Sequence, residues 1–148
     1  MSEFVARVET DLAPAVAWDR IWDLDRHTTV IPFTRVALDP PATALAVGAG
    51  FTGRTALGRL GFDDTMRIEE WRPPTVAEPG RAVVVKTGRL LGGRIEVDVF
   101  PAGSGGTRIT WRQQVALPWL PRPLRRLEWL AARVAAPGYR RVLRTLLG

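Results

Sequence analysis

The chain has 148 residues, a net charge of +6, no cysteine and one histidine, and this length favours one domain, residues 1–148, that buries about two thirds of the surface its unfolded chain exposes. The lack of cysteine excludes disulfides and thiolate chemistry, and a single histidine argues against a histidine-based metal site. The charged amino-terminal segment lacks the apolar core of a signal peptide or membrane span, so we expect a cytoplasmic protein.

The first part of the chain predicts a strand followed by short helical segments. Between Glu3 and Asp11, apolar and polar residues alternate, which is typical of a half-buried strand. A short helix is predicted from Pro14, with Trp18 and Trp22 on its apolar face. The segment HTTVIPF, residues 27–33, combines β-branched residues with a proline and predicts a second short turn or a loop.

Six more strands are predicted beyond residue 33, because short runs of strand-forming residues alternate there with breaks that contain glycine or proline. These runs are Arg35 to Asp39, Phe51 to Leu57, Phe62 to Trp71, Arg81 to Gly88, Arg94 to Phe100 and Thr107 to Leu117. Together with the first strand, they predict a seven-stranded antiparallel meander.

A long helix is predicted to end the chain, from about Pro121 to Leu147. Its apolar residues share one arc at helical spacing. The arc consists of Leu124, Leu127, Leu130, Ala131, Val134, Ala135, Gly138, Val142 and Leu146. Because Ala131, Ala135 and Gly138 are small, the helix would either roof a cavity or be met by large side chains from the sheet that fill the space.

The excess of positive charge lies in this last helix, because basic and acidic residues balance up to residue 117. The helix arginines are opposed only by Glu128. A solvated face is one interpretation, and weak contact with an anionic membrane or an acidic partner is another, which Trp119 and Trp129 would suit. We expect no nucleic-acid binding, because the aromatic residues are not interleaved along a basic groove.

The order of these elements resembles the START/polyketide-cyclase (SRPBCC) superfamily. Three stretches carry the resemblance: APAVAWDRIWDLD after the first strand, RIEEWRPP at the end of a middle strand, and GGTRITWRQQV before the last helix. The resemblance implies an α+β helix-grip fold, in which a seven-stranded curved antiparallel sheet wraps around the long C-terminal helix, with two short helices after strand 1. These stretches are structural, so no catalytic residue is carried over.

Alternation along the predicted strands selects residues that would face a cavity. Phe62, Asp64 and Met66 share one side of their strand. A carboxylate in an apolar cavity is costly unless it is paired, and desolvation would suit it to act as a general base. Asp64 is therefore the first catalytic candidate, unless a bulge turns it outward or an arginine neutralises it.

The last strand and the tryptophans supply candidates for ligand contact. Trp111 and Gln113 share the inward side of the last strand, where Gln113 would bind a ligand carbonyl or only a backbone group. Trp18, Trp22 and Trp111 belong to elements whose apolar sides converge, so they would stack on a flat ligand or simply fill the core.

Three further polar residues are candidates for catalysis. Tyr139 follows Pro137, which should kink the helix and aim the hydroxyl at a cavity, or else divide the helix. Glu128, at the edge of the apolar arc, would project into the cavity mouth or pair with Arg125. His27 would act as an acid or base at the opening of the cavity, or would merely be exposed.

We therefore expect a protein that binds a small, largely apolar molecule, aromatic or polyketide-like, between the sheet and the last helix. The predicted ligand site comprises Trp18, Trp22, Phe62, Met66, Trp111, Gln113, Ala131, Ala135 and Gly138. If the protein is an enzyme, the resemblance implies a cyclase, dehydratase or aromatase that uses neither a metal nor an organic cofactor. The alternatives are a carrier without chemistry and a peripheral module on a membrane or an acidic partner. We expect a monomer or a homodimer.

Overall fold

The computed structural model describes residues 2–103 and 105–148. Its strands are β1 (Ser2–Thr10), β2 (Thr34–Leu38), β3 (Gly50–Leu57), β4 (Leu60–Arg72), β5 (Gly80–Thr87), β6 (Gly92–Pro101) and β7 (Thr107–Val115). Its helices are α1 (Pro14–Ile21), α2 (Leu24–Val30) and α3 (Arg126–Leu147), and a short 3-10 turn, Arg122–Leu124, precedes α3.

All seven strands form one antiparallel sheet in the order β1-β7-β6-β5-β4-β3-β2. Successive strands from β2 to β7 are neighbours because short connections join them, and β1 closes the order by pairing along its whole length with β7. The predicted seven-stranded antiparallel sheet with a long C-terminal helix and two short helices after the first strand is confirmed. Residues 27–30, which the sequence left as a turn or loop, belong to α2.

Alternation along the strands separates an inner face from an outer face. On β1 and β7 the inner positions include Phe4, Ala6, Val8, Ile109 and Trp111, and all of them are buried. The outer face carries charged side chains in a network centred on an arginine. Its members are Arg81, Glu70, Glu96 and Asp98. The inner face therefore supplies one wall of the core, and the helices supply the other.

A bulge in β4 changes which residues face inward along that strand. Ile68 pairs with Val84, but the next paired residue is Glu70, so Glu69 is the extra residue. The extra residue lets Asp64, well before the bulge, and Trp71, after it, lie on the same inner face. The bulge that would have turned Asp64 outward is absent, because β3 and β4 pair without interruption from Gly50 to Leu57.

The C-terminal end of α3 is fixed to the first two helices by two arginines. Arg20 of α1 donates from Nη1 to the carbonyl of Leu147 at 2.7 Å, and Arg26 of α2 donates from Nη1 to the carbonyl of Leu146 at 2.6 Å. The last carbonyls of a helix have no partner within it and carry partial negative charge. These contacts satisfy them and hold the three helices together.

The predicted orientation of α3 is wrong in its N-terminal half. Leu124, Leu127, Leu130 and Val134, expected to face the sheet, are exposed. The buried stripe instead contains Glu128, Ala132, Leu143, Leu146 and Leu147. The helix packs mainly on β1, at the edge of the sheet, and only its buried stripe reaches the core.

Helix α3 continues through Pro137 without a break. The alternative in which proline divides the helix is therefore wrong. None of the helices in residues 2–103 and 105–148 is both long enough and apolar enough to cross a membrane.

Candidate functional site

A cavity of about 180 Å³ lies between the inner face of the sheet and the helices α2 and α3. Its wall is mostly aromatic and aliphatic. The apolar lining consists of Trp22, Leu24, Ile31, Val36, Phe51, Phe62, Met66, Leu91, Ile95 and Trp111. The polar lining consists of His27, Thr34, Thr55, Asp64 and Tyr139. Such a wall, with a few polar groups, is typical of a site for a small organic molecule.

Asp64 lies on the cavity wall in an ion pair with Lys86, the only lysine of the chain. β4 and β5 bring the two together, because Met66 and Lys86 are opposite each other in the register. Both side chains are largely shielded from solvent. Lys86 Nζ contacts Asp64 Oδ2, whereas Asp64 Oδ1 is buried without a hydrogen-bond partner in the described residues. The predicted alternative was neutralisation of Asp64 by an arginine, and the cation in the structure is a lysine.

His27 is buried in α2 and lines the cavity, so the alternative of a merely exposed loop histidine is wrong. Its Nε2 lies 2.7 Å from the carbonyl oxygen of Ile21. Burial lowers the pKa of His27 from its ordinary value. The hydrogen bond to Ile21 and the negative charge of Asp23 act in the opposite direction and raise the pKa, but by less. The ring is therefore neutral at neutral pH. Since its Nε2–H donates to Ile21, Nδ1 is left as an acceptor.

Tyr139 reaches the same cavity from α3. Burial, together with the negative charge of Asp64, raises the pKa of Tyr139 well above its ordinary value. Its hydroxyl therefore stays protonated and can donate a hydrogen bond. Phe4 and Trp111 hold the ring, with centroids 5.5 and 5.1 Å from that of Tyr139.

A chain of aromatic rings forms the wall that backs the cavity. Trp22 stacks on Trp111 with ring centroids 5.8 Å apart. Trp22 also contacts Trp71, which in turn contacts Trp18. Aromatic pairs at these distances add to the energy of burial and restrict the motion of both rings. Trp22 and Trp111 line the cavity, whereas Trp18 lies behind them in the core.

Several residues predicted for the site lie elsewhere. Gln113 is buried beside the wall, where its Oε1 accepts the indole N–H of Trp111 at 3.1 Å. Glu128 lies at the start of α3, where its Oε1 accepts the N–H of Leu117 at 2.8 Å. Gly138 and Ala135 border an open groove between α2 and α3, and Ala131 is exposed. These small residues do not roof the cavity, because α3 is rotated from the predicted orientation.

Lys86 and the lining residues from β2, β3 and β6 were not predicted from the sequence. The same alternation that selected Asp64 applies to β5, where Ala82, Val84 and Lys86 share the inner face. It also applies to β3, where Phe51, Gly53 and Thr55 line the cavity. Applying it to every strand would have identified these residues.

No model of a protein family matches the sequence, and no curated protein does. Solved structures do match. TTHA0849 from Thermus thermophilus has a TM-score of 0.72 at 14% identity, over 99% of this chain and 94% of that chain. Zhui aromatase/cyclase from Streptomyces has a TM-score of 0.67 at 13% identity, over 99% and 92%. Ara h 8.0201 has a TM-score of 0.67 at 11% identity, over 99% and 95%.

At such low identity, these likenesses concern the fold and not the ligand or the reaction. They extend over nearly the whole of both chains in each pair. The element order, the sheet order and the packing of α3 on the sheet agree with the architecture that the sequence motifs implied. The chain therefore has the helix-grip fold that the resemblance in its sequence implied.

Proposed function

We propose that the protein binds a small, largely apolar molecule with an aromatic ring in the cavity between the sheet and the helices α2 and α3. The observation that carries this proposal is the apolar, aromatic cavity wall. A volume of about 180 Å³ exceeds the roughly 150 Å³ that holds a benzene molecule in an engineered apolar cavity. A single ring with small substituents fits it, and a larger polyketide-like skeleton requires side chains to move.

The polar groups of the wall favour a ligand that carries a hydroxyl group. Asp64 Oδ1 is a buried acceptor that has no donor in the described residues, and His27 Nδ1 is a second acceptor. The Tyr139 hydroxyl can both donate and accept. A ligand hydroxyl would satisfy Asp64, whereas a ligand carboxylate would be repelled by it. The favoured ligand is thus a neutral hydroxylated aromatic molecule rather than an organic acid.

Catalysis is a second candidate function, favoured by the presence of Asp64, His27 and Tyr139 on one cavity wall. In this scheme, Asp64 takes a proton from the carbon next to a ligand carbonyl, and Tyr139 donates a hydrogen bond to the enolate oxygen. In the cyclisation that follows, the enolate carbon bonds to a second ligand carbonyl carbon, and the proton held by Asp64 passes through His27 to the oxygen of that carbonyl. Gln113 and Glu128 have no part in it, since neither lines the cavity. Zhui aromatase/cyclase, which has a similar fold, is by its name an aromatase and cyclase.

The binding proposal is tested by filling the cavity from β3. A side chain added at Gly53 would point towards Thr34 and Val36, at ordinary contact distances, and so into the cavity. We expect wild-type protein to show quenching of its tryptophan fluorescence on titration with 3-nitrophenol, a single hydroxylated ring with one small substituent, and Gly53→Leu to lose that response. Ala56→Leu, on the outer face of the same strand, is the control and should bind normally. Equal binding by all three proteins would refute the site.

The catalytic proposal needs a substrate, and mass spectrometry of molecules that copurify with the protein would supply candidates. With such a molecule in hand, Asp64→Asn should abolish turnover and leave binding measurable. A molecule that binds wild-type protein and is recovered unchanged would identify a carrier. Turnover by Asp64→Asn at the wild-type rate would exclude Asp64 as the base.

A further inference from the structure

Five large apolar side chains are exposed on the loops at one end of the sheet, and we name this group the apolar rim. It consists of Phe33, Leu57, Leu60, Leu90 and Trp119. The antiparallel order brings them together, because the α2–β2 connection, the β3–β4 and β5–β6 turns and the β7–α3 connection all lie at that end. Trp119 donates its indole N–H to the carbonyl of Leu90 at 3.1 Å, which ties two of these loops to each other.

The apolar rim continues the cavity wall to the surface. Thr55 and Phe62 are paired in the β3–β4 register and line the cavity, and Leu57 and Leu60 are the next inward-facing pair. Leu57 is 67% exposed and Leu60 is 81% exposed. Leu90 directly precedes the lining residue Leu91 in the chain. The inner apolar surface of the sheet thus runs out of the cavity and ends in solvent.

Phe33 has an unfavourable backbone conformation as well as an exposed ring. Its φ is 58°, in the left-handed region that bulky side chains rarely adopt, and its side chain is 69% exposed. Neither burial nor a tight packing contact of the ring explains this strain. Strained residues are concentrated at functional sites. An exposed aromatic ring beside the lining residue Thr34 is explained if the rim meets a partner.

The charges in the loops that carry the apolar rim are all positive. Arg59 and Arg89 lie in the two turns, and Arg122 and Arg125 lie where the chain enters α3. Neither Arg59 nor Arg89 forms an ion pair with an acidic side chain in residues 2–103 and 105–148. Arginine around exposed leucine and aromatic side chains is typical of a surface that lies on anionic lipid.

The same charges argue against a second copy of this chain as the partner. A symmetric dimer presents the same patch from both subunits, so the arginines of one rim would face those of the other. A bilayer with anionic head groups offers both an opposite charge and an apolar interior for the leucine and aromatic tips. Exposed apolar patches of this kind usually have a partner.

We propose that the apolar rim and its arginines dock on an anionic lipid bilayer, with the cavity facing the membrane, so that an apolar ligand passes between bilayer and cavity. The docking surface is independent of which ligand the cavity binds. Leu57 and Leu60 enter the interfacial layer of the bilayer, and Arg59 and Arg89 contact lipid phosphates.

The test is cosedimentation with vesicles of phosphatidylcholine alone and vesicles in which about a third of the lipid is phosphatidylserine. We expect binding to the anionic vesicles only, and loss of binding when the salt concentration rises from about 0.05 to about 0.5 M. The variant Arg59→Gln/Arg89→Gln should bind roughly 30-fold more weakly, at about 1 kcal/mol for each arginine. Leu57→Ser/Leu60→Ser should also bind more weakly.

Two variants serve as matched controls, because each changes an exposed residue outside the apolar rim. Val76→Ser lies in the loop at the opposite end of the sheet, and Arg67→Gln lies on the outer face of the sheet. Both should bind like wild type. Absence of binding to anionic vesicles at low salt would overturn the proposal, and so would wild-type binding by the Arg59/Arg89 variant. Hydrogen exchange that shows the apolar rim protected in a dimer would assign the rim to a second copy of the chain. Protection of the rim by an acidic protein, without any binding to vesicles, would assign it to that protein.

Discussion

Glu128 and Leu117 are joined by a hydrogen bond of 2.8 Å that links the start of α3 to the end of the sheet, with Glu128 Oε1 as the acceptor. The Glu128 side chain is buried, whereas the prediction placed it at the edge of the apolar arc, either in the cavity mouth or paired with Arg125. The bond fixes which face of α3 meets β1, so one carboxylate helps to decide the rotation of the whole helix.

Replacing Glu128 with alanine should lower the free energy of unfolding by about 2 kcal/mol, because a partly buried N–H that loses a charged acceptor is costly. Glu128→Gln keeps an acceptor oxygen and should lose less. Urea unfolding monitored by circular dichroism measures both variants. Equal stability of the alanine variant and wild type would mean that water replaces the carboxylate at no cost.

The ion pair between Lys86 and Asp64 predicts unequal effects of single and double substitutions. Lys86→Met should destabilise the protein by about 3 kcal/mol, because it leaves a shielded carboxylate without its cation. The double variant Asp64→Leu/Lys86→Met should recover most of that loss, since neither charge remains.

The control for this prediction lies on the other face of the same sheet, where Arg54 pairs with Asp63 and both are well exposed. Arg54→Gln should change the free energy of unfolding by no more than about 1 kcal/mol. Thermal melts of the four proteins test the ordering. A double variant less stable than Lys86→Met would show that the pair itself, and not the isolated charge, dominates.

His27 should make the protein less stable as the pH falls below neutrality. Burial lowers its pKa in the folded state below the 6.5 of an ordinary histidine, so the unfolded chain takes up the proton first. The contribution of neutral His27 to the free energy of unfolding is therefore complete above pH 6.5 and is lost as the pH falls through and below that value. The urea midpoint of wild type should drop between about pH 7.5 and 5.5, above the range in which carboxylates titrate.

The variant His27→Gln should show a much flatter profile over the same interval, because it removes the titrating group and retains a donor for the Ile21 carbonyl. If the wild-type and variant profiles run parallel, another group is responsible for the pH dependence.

Tyr139 gives a clean spectroscopic prediction, since it is the only tyrosine of the chain. Burial and then the charge of Asp64 raise its pKa, so tyrosinate absorbance in the native protein should appear well above pH 10.0, the ordinary value. The denatured chain should titrate near that ordinary value. The contribution of protonated Tyr139 to the free energy of unfolding is thus complete below the ordinary pKa of tyrosine and is lost as the pH rises above it.

Asp64→Asn should bring the native titration of Tyr139 closer to the ordinary value, because the second cause of the shift is then removed. No change in that variant would show that the two residues do not interact across the cavity.

Strand alternation and turn residues were sufficient to predict the sheet and part of the cavity wall. Phe62, Asp64 and Met66 face the cavity as expected, because a period of two leaves only one choice of face once the direction of one residue is known. The Lys86 partner of Asp64 depends on the register between β4 and β5. That register is a long-range property that short sequence patterns do not contain.

The rotation of α3 was not predictable from its apolar pattern. Leu127 and Leu130 are apolar and exposed, whereas Glu128 is charged and buried. The usual rule that apolar residues face the core fails here, because the helix has two apolar surfaces. One packs on β1 and the other is exposed.

The bulge at Glu69 has a further consequence for how this protein can change. Before it, β4 contributes Asp64 to the cavity, and after it, the same strand contributes Trp71 to the aromatic wall. Deleting Glu69 would leave Ile68 opposite Val84 and Glu70 opposite Val83, so regular alternation would still place Trp71 on the inner face. The bulge is therefore the place where β4 can lose a residue and keep both parts of the site, whereas the loss of a residue elsewhere in the strand would move one half of it to the other face.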